Sequence, residues 1–119
     1  MIGNTGGEPI MGQKHIDIEQ IKKHVQEGKI KWRNHIIIRT QQRGIKIKDV
    51  INCILTGEII EEYPLDYPYP SCLILGKTCG DKGLHVVCAI GQNRIWMISA
   101  YYPDRDQWYG DLKTRREKK

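Results

Sequence analysis

Apolar positions along the chain follow two regimes that change at Gly57. Before it, Ile18, Ile21 and Val25 recur at helical spacing behind Asp17, an N-cap residue with Gln20 three places on, and Gly28 is placed to end the helix. A short extended piece, Ile30 to Trp32, leads to Asn34, a second N-cap candidate, and to a helix through Arg43 that Gly44 terminates. Ile47, Val50, Ile51, Ile54 and Leu55 form a third helical stripe, stopped by Gly57. Beyond Gly57 the pattern becomes extended over Glu58 to Tyr63, Cys72 to Lys77, Leu84 to Ile90 and Arg94 to Tyr102. Pro64, Pro68 and Pro70 separate the first two of these, because proline cannot donate to a ladder. Gly80-Asp81-Lys82-Gly83 and Gly91-Gln92-Asn93 read as hairpin links. Helices first and strands afterwards predict an α+β fold, with N-terminal helices packed on one face of a curved antiparallel sheet of about four strands.

Alternation assigns faces. His85 shares a side with Val87 and Ala89, opposite Leu84, Val86 and Cys88. In the last strand, Tyr101 falls with Ile95, Met97 and Ser99, and Tyr102 with Trp96, Ile98 and Ala100, so only one tyrosine points at a given site. Residues 1–14 hold four glycines and a proline without periodicity and are expected to form a flexible arm. Residues 15–104 are expected to be a single domain and 105–119 a basic tail whose simplest form is a frayed, solvated helix. The chain's 119 residues suit one compact domain. Apolar runs fall short of the roughly 20 residues a membrane span needs, and the opening lacks a signal-peptide pattern, so a cytoplasmic protein without membrane contact is expected.

The formal charge of +5 is segregated. Lys14 to Lys48 carries ten basic and three acidic residues, Asp49 to Gly76 five acidic and no basic, and Lys77 to Lys119 nine basic and five acidic. Such segregation suits a phosphate-bearing ligand better than uniform solubilising charge does. Cys53, Cys72, Cys79 and Cys88 contain no C-x-x-C pair and three lie in apolar runs, so they are expected to be reduced, with Cys79 exposed, and no metal site is expected.

His35, Arg39 and Arg43 recur every fourth residue, placing an imidazole and two guanidiniums along one helical stripe. Arginine's planar fork suits phosphate, and histidine exchanges protons near neutrality. The plain alternative is a solvated helix face. His85 amid apolar neighbours is a second candidate, with a satisfied sheet-edge histidine as its plain reading. Trp108, Lys113, Arg115 and Arg116 in the tail, with Arg94, pair an aromatic ring with bases in the manner of RNA-binding segments. No glycine-rich phosphate loop, metal-ligand motif or G-x-S-x-G is present, and no cofactor is expected.

The string His35-x-x-x-Arg39-x-x-x-Arg43-Gly44-Ile45, followed by Asp49-Val50, Gly57 to Pro64, Leu73 to Gly76, Leu84 to Val87 and Ile98 to Tyr101, resembles an uncharacterised family of small bacterial and archaeal proteins. That domain-of-unknown-function family is grouped with the RelE/ParE-like toxin superfamily, and the resemblance runs from about Trp32 to Asp104. It implies a toxin-like, microbial-ribonuclease-like fold, often encoded beside a small zinc-finger antitoxin, and metal-independent cleavage of messenger RNA. His35, Arg39, Arg43, His85 and Tyr101 match the family's recurring polar positions. Lys46 and Lys48 depart from it, standing where relatives tend to have a serine or threonine cap.

The expected function is thus a toxin acting as a metal-independent endoribonuclease. His85 or His35 would be the base, Arg39 and Arg43 would stabilise charge on phosphorus, and Tyr101 would orient the backbone or stack on a base. A non-catalytic RNA- or protein-binding module, or a toxin with a protein target, is the alternative. The acidic, proline-rich Glu58 to Pro70 offers a partner surface or a plain exposed loop.

Overall fold

The computed structural model describes residues 16–116, so the expected arm at 1–14 lies outside the described residues. Its elements are α1 (Ile18–Gln26), β1 (Ile30–Lys31), α2 (Asn34–Gln42), α3 (Ile47–Thr56), β2 (Glu58–Tyr63), β3 (Ser71–Lys77), β4 (Gly83–Gly91) and β5 (Arg94–Tyr101). The fold is α+β. Asp17 caps α1 by accepting the Glu19 amide at 2.9 Å. Gly28 and Gly44, at φ +74° and +73°, supply the left-handed residue just past the ends of α1 and α2. One expected cap differs. Asn34 is the first residue of α2 rather than its cap, which is Arg33 with no side-chain bond. At α3 the capping position falls to Lys46, and the Asp49 carboxylate reaches back to its amide at 3.1 Å.

The sheet has five strands in the order β1-β5-β4-β3-β2. From β2 to β5 it is an antiparallel meander. The added strand is β1, which pairs parallel with the start of β5 through Ile30↔Ile95 and Lys31↔Trp96. The sheet is therefore mixed, with one strand more than expected. Two residues of extended chain carry too little pattern to be read as a strand; pairing with β5 makes them one. Gln92 and Asn93, both at positive φ, form the two-residue β4–β5 turn.

The helices cover one face. Ile21, Val25, Ile36, Val50 and Ile54 pack on Cys72, Ile74, Leu84, Val86, Cys88, Ile95, Met97 and Ala100. Cys53, Cys72 and Cys88 are free and buried, and Cys79 is exposed. The Cys53 thiol donates to the Leu84 carbonyl at 3.2 Å, and burial pushes it up to about 12. Where α3 crosses β3 the backbones nearly touch: a Cβ on Gly76 would lie 1.9 Å from the Cys53 carbonyl oxygen. No helix among the described residues is long and apolar enough to cross a membrane. Gly76→Ala must push α3 off the sheet, and a loss of about 1–3 kcal/mol is expected, read as a lowered urea midpoint.

Candidate functional site

The other face of the sheet carries the chemistry. Three successive β4–β5 pairs face it: His85↔Tyr101, Val87↔Ser99 and Ala89↔Trp96. A bulge at Ile98 corrects the expected alternation of β5. One extra residue resets the parity, so Ile95 and Met97 turn to the helices with Ala100, while Trp96, Ser99 and Tyr101 face away. A second bulge in β2, between Ile59 and Glu61, brings Glu61 opposite Leu73 and Tyr63 opposite Ser71 on the same open face.

The His85 end of this face is roofed by residues 105–116. This segment forms neither a helix nor a loose tail. It folds back on itself through an isolated Trp108↔Arg115 bridge and an Asp111-centred turn, in which one carboxylate oxygen accepts the Lys113 and Thr114 amides, each at 3.0 Å. Trp108 is 2% exposed. Its ring meets His85 edge-on with centroids 4.6 Å apart, and Tyr101 meets the imidazole at 5.4 Å from another side. Leu112, at φ +61°, turns its carbonyl onto His85 Nε2 at 2.7 Å. A non-glycine residue pays for that conformation. The compensation is the hydrogen bond together with a side chain seated where Gly83 leaves room, since a Cβ there would lie 2.6 Å from Leu112 Cδ1.

A carbonyl only accepts, so Nε2 carries the His85 proton, and the buried Nδ1 finds no partner among the described residues. Burial lowers the His85 pKa from the ordinary 6.5, opposed by the Leu112 bond and by Glu61. Beside it, Glu61 accepts from Arg115 at 2.6 and 3.1 Å and from the Tyr63 hydroxyl at 2.5 Å. The Arg115 hydrogen bond lowers the Glu61 carboxyl, while burial and the Glu61 contact push Tyr63 up to about 12. Burial also raises Tyr101. Arg115 stacks over Trp108 at 4.5 Å, Lys113 pairs with Glu58 at 3.3 Å, and Arg116 donates to the Arg105 and Trp108 carbonyls.

The arginine stripe lies beside this face. β1 reaches only as far as Trp96, so the outer edge of β5 is open beyond it, and α2 runs along that edge. Arg43 donates to the Ala100 carbonyl at 2.8 Å. Arg39 is exposed, and His35, at the other end, lines a cavity of about 250 Å³ shared with Arg33, Asp66, Tyr69 and Trp96. Arg94 lies apart, beside the β4–β5 turn and Gly28. Among the described residues no three His, Cys, Asp or Glu side chains cluster closely enough to hold a metal ion.

Residues 32–102 match the family model of a domain of unknown function, DUF4258. The chain belongs to that family. No curated protein and no solved structure matches. The DUF4258 region runs from just before α2 to just past β5, so it contains the stripe, His85 and Tyr101, whereas the roof over His85 comes from residues beyond it.

The structure thus gathers His85, Tyr101, Trp108, Arg115 and, at the edge, Arg43; His35 and Arg39 stand along the same edge in solvent, and Arg94 is elsewhere. Glu61, Tyr63, Arg33 and the Tyr69–Trp96 pair escaped the sequence reading. For Glu61 and Trp96 the obstacle was the two bulges, which hide the face a residue takes; an aromatic residue within the last strand was the one signal available for Trp96.

Trp108→Ala is expected to cost about 3–5 kcal/mol and to raise the His85 pKa toward its ordinary value, followed by urea titration and imidazole NMR. A lowered histidine contributes stability that is complete above its unfolded value and lost as pH falls through the folded one. The urea midpoint should therefore fall as pH drops below about 6.5, and this dependence should flatten in His85→Gln.

Proposed function

We propose that this DUF4258 protein binds single-stranded RNA along the α2–β5 edge and cleaves it without a metal, as the toxin of a toxin–antitoxin pair. One observation carries the reading: α2 flanks the open edge of β5, so the basic stripe and the aromatic cavity border a single track. His35 borders the cavity and Arg43 reaches the Ala100 carbonyl, with exposed Arg39 between them. The grouping of the resembled family with RelE/ParE-like toxins suggests the toxin role and a small zinc-finger antitoxin as partner.

Of the two histidines weighed as base, His35 is the one in solvent, while His85 is 0% exposed and bonded to a carbonyl. His35 takes the proton of a ribose 2′-hydroxyl, and the 2′-oxygen attacks phosphorus. The bond to the 5′-oxygen breaks, and that oxygen takes a proton from water as it leaves, giving a 2′,3′-cyclic phosphate and a 5′-hydroxyl, while the hydroxide so formed is neutralised by the proton that His35 releases. Arg39 stabilises charge on the phosphoryl oxygens. Tyr101 and His85 hold the floor of the track rather than reach the substrate.

The burial of His85 favours a second reading, a non-catalytic RNA-binding module, and one experiment separates the two. Mixed-sequence RNA incubated with the protein in EDTA should yield fragments ending in cyclic phosphate, slowed about 10²–10⁴-fold in His35→Ala and strongly in Arg39→Ala. Intact RNA bound by the protein would leave the module reading; RNA neither cut nor bound would remove both.

A further inference from the structure

At the His35 end of the track, the cavity has walls built for a flat ligand. The Trp96 indole N–H donates to the Gly91 carbonyl at 3.0 Å, which fixes the ring. Tyr69 stacks on it with centroids 5.6 Å apart and planes 28° from parallel. Tyr69 in turn rides directly over Gly91, where a Cβ would come within 2.2 Å of its ring. This platform is set before any ligand arrives, so ordering it costs a ligand nothing. Arg33 stands 6.0 Å from the Trp96 centroid, at the outer limit of a cation–π contact. Tyr67 lines the same cavity yet is 94% exposed, an aromatic ring with almost no protein around it.

Asp66 gives the cavity its polarity. Its Oδ2 accepts the hydroxyl proton of fully buried Ser71, which orients the carboxylate, and Oδ1 takes no side-chain hydrogen bond among the described residues. A carboxylate only accepts. Among the bases, guanine presents two adjacent donors, N1–H and the N2 amino group, on its Watson–Crick edge. Adenine and cytosine set an acceptor beside their single amino donor, and uracil flanks its N3–H with two carbonyls, so each would bring a lone pair against Asp66.

We propose that this cavity is a guanine site for single-stranded RNA. The base stacks against the Trp96–Tyr69 platform with Tyr67 folding over it, its N1–H and N2 amino donate to Asp66, and Arg33 and His35 face the adjoining phosphate. The inference rests on RNA being the ligand and is independent of cleavage.

The test uses pentanucleotides of uridine with guanine, adenine, cytosine or uracil at the centre, carrying 2′-fluoro sugars so that they cannot be cut. Binding is read by fluorescence anisotropy at one fixed salt concentration. The guanine oligomer should bind about tenfold more tightly than the other three, and Asp66→Asn, which keeps the Ser71 bond, should erase that preference. Tyr67→Ala, at a position too exposed to disturb folding, should weaken guanine binding about fivefold. Equal binding of all four oligomers, or a preference that survives Asp66→Asn, overturns the site and leaves RNA binding standing. Binding of none overturns both. A guanine preference together with intact RNA in the EDTA assay keeps the site and removes only cleavage.

Discussion

The central strands β3 and β4 are buried on both faces, and neither face can be left in water. Cys72, Ile74, Leu84, Val86 and Cys88 turn toward the helices; Ser71, Leu73, His85 and Ala89 turn away and are just as inaccessible. Three short helices supply one cover. Two described segments share the other: the 64–70 loop lies over Ser71 and Trp96, and residues 105–116 return across the sheet over His85. The placement of Trp108 over His85, the Leu112 carbonyl on Nε2 and the left-handed backbone at Leu112 are all consequences of roofing this second face.

The roof also explains where much of the segregated charge goes. Acidic residues of β2 and basic residues of the C-terminal segment meet as Glu58 with Lys113 and Glu61 with Arg115. Both pairs are partly exposed, so each adds modestly to stability, but they fix the register of the roof on the sheet. The bidentate Arg115–Glu61 contact, completed by Tyr63 below and Trp108 above, is the better fixed of the two. Other bases stay in solvent, among them Arg33, Arg39 and Arg43 along α2 and at its two ends. Both faces of the sheet thus hold the fold together, and what stays uncovered by strand is the edge of β5 beyond Trp96, flanked by α2.

Among the elements, the helices at Ile18, Asn34 and Ile47 and the strands at Glu58, Ser71, Gly83 and Arg94 were legible to within a residue or two, as was the face taken by His85. Local signals suffice for these, because helical stripes, glycine stops and a Gln92-Asn93 turn act over a few residues. The stripe His35, Arg39, Arg43 was legible for the same reason. Its position beside Trp96 and Tyr69 was not, because that depends on α2 lying along the edge of β5.

What the sequence determined by itself is the order of elements, the α+β class, and membership of chemically distinct residues in particular helices and strands. Tertiary structure alone decided that Ile30 and Lys31 become a parallel strand, that bulges at Ile60 and Ile98 exchange the faces of Glu61, Trp96 and Tyr101, and that an apparently frayed tail becomes a roof anchored by buried Trp108. The reason is common to all three. Each is selected by contacts between residues far apart in the chain, where the burial of a whole sheet face outweighs the local preference of the segment that must change to cover it.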